Sequence, residues 1–152
     1  MSLAPVANCL RLAGVTDPDY NAAMPERSRD WLRQAEADLR HARNSRDLGD
    51  YDWAAFASHQ AAEKAIKALY QHFHLEAWGH TLSTLLERLP NEAKPDVALI
   101  NSARELDKHY IPTRYPNGFE SGAPVDFYIL SEANRAIEKA EAIIEFCKNI
   151  LG

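Results

Sequence analysis

From about residue 27 onward, apolar residues recur at spacings of three and four, the period of one helix face. Leu32, Ala35, Leu39 and Ala42 set the first stripe, over about 27–47. Leu48-Gly49-Asp50 ends it, because Gly49 can take the left-handed C-terminal position and Asp50 can cap the next helix. That second helix is predicted over about 51–74, with Ala55, Ser58, Ala62, Ala65, Leu69 and Phe73 inward. Most of these are small, so a neighbouring helix can approach closely. Leu82, Leu85, Leu86 and Leu89 mark a short amphipathic helix after Gly79-His80, closed by Pro90. Pro95 suits the first turn of a fourth helix whose inner face is Leu99, Ala103, Leu106 and Tyr110.

Between Pro112 and Gly122 the prolines and the Asn117-Gly118 pair exclude a regular helix. The last helix is predicted from Pro124 or Asp126, with a stripe of Leu130, Ala133, Ile137, Ala140, Ile144, Cys147 and Leu151. A second apolar line, Ile129, Ala136, Ile143 and Ile150, runs beside it every seventh residue. So wide a face calls for two neighbouring helices or for a second copy of the chain, whose interface would be Ile129, Ala136, Ile143 and Ile150. No segment alternates like a strand. The pattern predicts an all-α, up-and-down bundle of about five helices over residues 26–152, preceded by an irregular arm, residues 1–25, rich in proline and poor in periodicity.

Composition narrows the partners. The chain has 152 residues, the size of one domain, with 46% hydrophobic and 26% charged residues, as a folded core requires. Its formal net charge of −5 argues against indiscriminate nucleic-acid binding, although a local basic patch stays compatible with it. Cys9 and Cys147 lie near opposite ends, so no disulfide framework or paired-cysteine redox motif is expected. No apolar run is long enough to span a membrane and the N-terminus is a poor signal peptide, so the cytoplasm is the expected location. His72 and His74 would project about 200° apart on a helix, and no ligand spacing completes a set; neither metal nor cofactor is expected.

Four places carry candidate chemistry. Lys64 and Lys67 can present two ammonium groups to one anion, or form a solvated face in which Glu63 pairs with Lys67. His80 stands at a helix start, where free backbone N–H groups attract anions or simply receive a cap. Arg114 beside Tyr115, in a loop stiffened by Pro112 and Pro116, offers a guanidinium fork next to an aromatic face. Arg104 and His109 have the residue types of a metal-independent ribonuclease, but five helical residues set them about 140° apart unless the helix ends between them or a dimer mate completes the site. The arginines of the first helix, Arg27, Arg29, Arg33, Arg40, Arg43 and Arg46, are offset by Asp30, Glu36, Asp38 and Asp47 and read as mixed surface charge.

In order along the chain, several segments resemble the HEPN domain family (higher eukaryotes and prokaryotes nucleotide-binding). They are Trp31 to Leu39, Tyr51 to Phe56, Gln60 to Leu69, Gly79-His80-Thr81-Leu82, Leu106 to Tyr110 and Thr113-Arg114-Tyr115-Pro116-Asn117. The resemblance spans roughly residues 27–150 and points to the prokaryotic subgroup with the Arg-Tyr-Pro loop. It implies a helical bundle, commonly a homodimer, that binds a nucleotide or RNA. It also implies a small nucleotidyltransferase as partner, as in toxin–antitoxin-type pairs. On that resemblance Lys64, Lys67, His80, Arg114 and Tyr115 line the face used for phosphate. Ribonuclease members of the superfamily carry an Arg-x4-6-His motif; here Arg104-Glu105 and His109-Tyr110 match its spacing, which keeps an endoribonuclease as the enzyme-class alternative. A non-catalytic dimerising interaction module is the third reading.

Overall fold

The computed structural model describes residues 26–152. The arm expected over 1–25 lies outside the described residues, which contain helices and turns but no strands. The first helix, α1, is Ser28–Leu48. Its end is made by Gly49, at φ 87°, whose N–H bonds Arg46 O (3.0 Å) while Asp50 N–H reaches Ser45 O (2.8 Å). A side chain there would be strained by the positive φ alone, so the left-handed glycine stop expected from the sequence is present.

Tyr51–His72 forms α2, the central element. Ala54, Ala55, Ala57, Ala61, Ala62, Ala65 and Ala68 are buried along it, and these short side chains let neighbouring helices, α1 foremost, pack closely against it. After α2 the chain turns through Gly79, at φ 86°, into α3, Leu82–Glu87. Leu82, Leu85, Leu86 and Leu89 are buried, and Tyr70 O–H donates to Leu85 O (2.7 Å), which ties α3 to α2. The next helix, α4, is Val97–Asp107. Pro95, expected in its first turn, lies outside it, because Asp96 is the N-cap and accepts the Leu99 N–H (2.8 Å).

The final helix also starts later than its apolar pattern suggests. Pro124–Phe127 makes a single turn, α5, and the chain then extends through Tyr128 and Ile129 before α6, Leu130–Leu151. The break turns Tyr128 inward, where it is buried against His109. On α6, Ala133, Ala136, Ile137, Ala140, Ile143, Ile144 and Cys147 are all buried. This helix packs on α2, α4 and α1 within one chain. The wide apolar face is therefore filled by the chain's own helices.

That placement changes the reading of the second line on α6. Ala136 and Ile143 are core residues, at 2% and 0% exposure, and Ile150 is packed against the core. Ile129 alone of the four is well exposed. An interface built from that line would have to open the core, since burying an isoleucine contributes about 1.5–3 kcal/mol.

Candidate functional site

Where α2, the α3 start and the loop after α4 meet, polar residues far apart in sequence converge. His59 sits on the apolar stripe of α2, four residues after Ala55, and is fully buried. Its Nε2–H donates to the carbonyl of His80 (3.1 Å), while Nδ1 faces the Gln60 amide (3.3 Å). Burial pulls the His59 pKa down to about 4, against the opposing pull of Glu63 and Asp107 carboxylates 3.9 Å away. The ring is thus neutral near pH 7 and acts as a rigid strut from α2 to the loop that carries His80.

Glu63, one turn on, is buried and organises the cations. Its carboxylate accepts from Lys67 Nζ (2.7 Å) and from His80 Nδ1 (2.9 and 3.1 Å). Burial alone would raise its pKa, but the hydrogen bonds from Lys67 and His80 outweigh that and hold it below the usual glutamate value. The Nδ1 bond fixes the imidazole of His80, which is half exposed, and leaves Nε2 directed to other partners. Asp107 closes the arrangement from α4: it accepts from Leu82 N–H (2.6 Å), Ser83 N–H (3.2 Å) and Ser83 O–H (2.7 Å). A side chain from another helix thereby caps α3, and the segment around His80 is held at both ends.

Tyr110 joins this cluster to the Arg-Tyr-Pro loop. Its ring stacks on His80 at 4.9 Å and 15°. The Tyr110 carbonyl accepts from Arg114 Nε (2.9 Å) and from a terminal guanidinium nitrogen (2.7 Å). The guanidinium also lies 4.4 Å from the Phe56 ring, 4.6 Å from Tyr110 and 5.1 Å from Tyr115. Thr113, buried, donates to His109 O (2.6 Å) and fixes the same turn. No carboxylate among the described residues forms an ion pair with Arg114. A guanidinium oriented by a carbonyl and flanked by rings, with no anion on it, is suited to receive a phosphate or carboxylate.

Of the five residues that the resemblance assigns to phosphate, four gather here. Lys67 and His80 share Glu63, Arg114 touches the tyrosine that stacks on His80, and Tyr115 flanks Arg114, about half exposed. Lys64 goes elsewhere: its ammonium is paired with Asp38 of α1. One turn of helix separates the two lysines in function, because each ammonium follows the carboxylate nearest to it.

Arg104 and His109 do not converge within the chain. Arg104 is exposed and bonds Glu87 of α3 (3.1 Å) and Asn101 (3.3 Å). His109 Nδ1 meets Tyr128 O–H (3.1 Å), and burial lowers its pKa against the pull of Glu132 and Glu105. His109 instead borders a groove of about 370 Å³ between α4 and α6, whose basic side chains are Lys108, Arg135 and Lys139. Among the described residues no group of histidine, cysteine and carboxylate side chains is arranged to hold a metal ion, and no helix is long and apolar enough to cross a membrane.

Sequence reasoning missed His59, Asp107 and Phe56 as parts of the site. Only His59 carried a signal: a large polar residue beside the inward stripe of small side chains from Ala55 to Ala62 has to find buried partners.

Comparison with known proteins agrees with this architecture. The HEPN domain family pattern matches residues 28–150, and the chain belongs to that family. A crystal structure of TT1696 from Thermus thermophilus is similar at TM-score 0.81 and 44% identity, over 82% of this chain and 98% of that one. The structure of ST0689, described as an archaeal HEPN homologue, has TM-score 0.72 and 38% identity, covering 85% of this chain and 100% of that one. A HEPN domain protein from Thermotoga maritima has TM-score 0.65 and 36% identity, over 80% and 97%. In sequence, the chain is 25% identical over 130 residues to a Methanocaldococcus jannaschii protein named "Putative toxin MJ1304", covering 80% of this chain and 86% of that one.

Proposed function

Starting from HEPN membership, we propose that this chain binds the phosphate of a nucleotide or RNA at the cluster of Lys67, His80, Arg114 and Tyr115. It acts there as the toxin-like member of a pair whose other member is a small nucleotidyltransferase. The observation that carries the binding reading is Arg114: its guanidinium is aligned by the Tyr110 carbonyl and three rings, and it has no carboxylate partner among the described residues. In the bound state Arg114 forks onto phosphate oxygens, His80 Nε2 donates or accepts beside it, and Tyr115 offers its exposed face to a base. Lys67 adds positive potential but stays tethered to Glu63. The similarity to the protein named "Putative toxin MJ1304" supports the pairing with a partner that restrains it.

Calorimetric titration with ATP tests the site. The wild-type chain is expected to bind, and Arg114→Ala to weaken binding by about tenfold or more with its melting temperature preserved. A wild-type protein that takes up no nucleotide contradicts the reading. Incubation with RNA in EDTA is expected to leave the RNA intact. Cleavage that disappears in His109→Ala would move the function to the Arg104/His109 region and make the chain a metal-independent ribonuclease. Co-expression with the adjacent gene tests the partner: a nucleotidyltransferase that copurifies supports the pair, and an unrelated product removes it.

A further inference from the structure

The arginines of α1 read as mixed charge along the sequence, but their pairing is uneven. Every carboxylate on α1 is held by another cation: Asp30 by Arg27, Glu36 by Lys148, Asp38 by Lys64 and Asp47 by Arg46. Arg43 is taken by Glu141 of α6. Arg29, Arg33 and Arg40 are exposed and form no ion pair among the described residues. At 100° per residue these three fall within about 40° of each other, about 130° round from the buried Ala35, Leu39 and Ala42, and span about 16 Å along the axis; Glu36 shares the sector but is paired with Lys148. A sequence that balances acid against base therefore folds into a helix with three exposed arginines that form no ion pair among the described residues, although Arg40 borders a groove that also holds Glu36, Glu141 and Glu145.

We propose that this line of arginines is a docking surface for the phosphate backbone of single-stranded RNA, a second phosphate-binding surface that rests on the reading above. Two features favour a polyanionic backbone over an acidic protein. Arg29 and Arg33 stand one helical turn apart, about 6 Å, so successive phosphates of one strand can each meet a guanidinium. No large hydrophobic residue is exposed between residues 26 and 47, whereas a protein interface needs an apolar centre to desolvate. Contacts of this kind carry affinity and little sequence preference, and they weaken as added salt reduces the gain from counterion release.

The test is a titration of a fluorescein-labelled 20-nucleotide oligouridine across salt concentrations, run beside ATP. For the full-length chain carrying Arg29→Gln, Arg33→Gln and Arg40→Gln, the slope of log K against log salt should fall by about two, at about 0.7 per lost phosphate contact. ATP affinity and the melting temperature should not change, since all three side chains lie on the solvent face. An unaltered slope overturns the proposal and leaves the nucleotide site standing, as does a wild-type protein that binds ATP but no oligouridine. Failure of the wild type to bind either ligand removes both readings. Poly-glutamate competing as well as the RNA would assign the line to an acidic protein and overturn the proposal too.

Discussion

Two histidine-bearing regions of this bundle have opposite histories. Glu63, His80, Tyr110 and Arg114 are scattered over some fifty residues, yet the fold links them in one chain of contacts, Glu63 to His80, His80 to the Tyr110 ring and that ring to Arg114. Arg104 and His109 stand five residues apart, yet the same fold points one at Glu87 and the other at Tyr128. α4 ends at Asp107, between the two, and each side chain follows its own partner, Glu87 for Arg104 and Tyr128 for His109. Distance in sequence costs nothing once α2, α3 and α4 are packed together. The difference teaches that a short motif has to be judged by what its side chains touch.

The comparison can be broken most forcefully at Glu63. Replacing it with alanine leaves the largely buried Lys67 and the half-exposed His80 without their shared anion, and is expected to cost about 3 kcal/mol in urea denaturation. Removing the exposed Arg104–Glu87 pair by Arg104→Ala should cost under about 1 kcal/mol. Equal losses at the two positions would show that the first cluster is no more organised than a surface ion pair.

Acid should act on the same cluster. His59 titrates at about 4 in the folded chain against 6.5 for a free imidazole, so the unfolded chain binds the extra proton between those values. Its contribution is fully present above pH 6.5 and is lost as pH falls toward 4, on the order of 3 kcal/mol in total. The depressed Glu63 carboxyl adds to the fall below the ordinary glutamate range, as its own ion pairs are protonated away. Thermal melts between pH 7.5 and 4 should therefore steepen below 6.5 in the wild type and flatten in His59→Gln. An equally steep profile in that variant would place the acid sensitivity elsewhere.

A smaller effect separates the two lysines. Lys64→Ala should lower stability by roughly 1 kcal/mol through the lost Asp38 pair and leave nucleotide affinity within about twofold. Lys67→Ala should weaken nucleotide binding severalfold, measured by the same titration. The reverse order would return Lys64 to the phosphate face.

Much of the bundle was legible because apolar periodicity reports burial directly. Leu32 to Ala42, the alanine stripe of α2 and Leu82 to Leu89 all pack as their spacing demands. The seven-residue line on α6 was legible as apolar and misleading as an interface, since spacing does not say whether the covering helix belongs to the same chain; Ala136 and Ile143 are covered by their own. The start of α6 was misplaced because the break at Tyr128 depends on a tertiary partner, His109, that no local pattern shows. The site was half legible. His80 and Arg114 announced themselves by loop and helix-start context, whereas the parting of Lys64 from Lys67 depends on Asp38, a residue of another helix.

The most direct test of where this chain works is an amide NMR titration of the assigned protein with ATP. Shifts are expected to concentrate at Lys67, His80, Tyr110, Arg114 and Tyr115, with Arg104 and the α6 side of His109 little changed. Shifts centred on residues 104–109 and Arg135, with the Arg114 loop silent, would contradict the account.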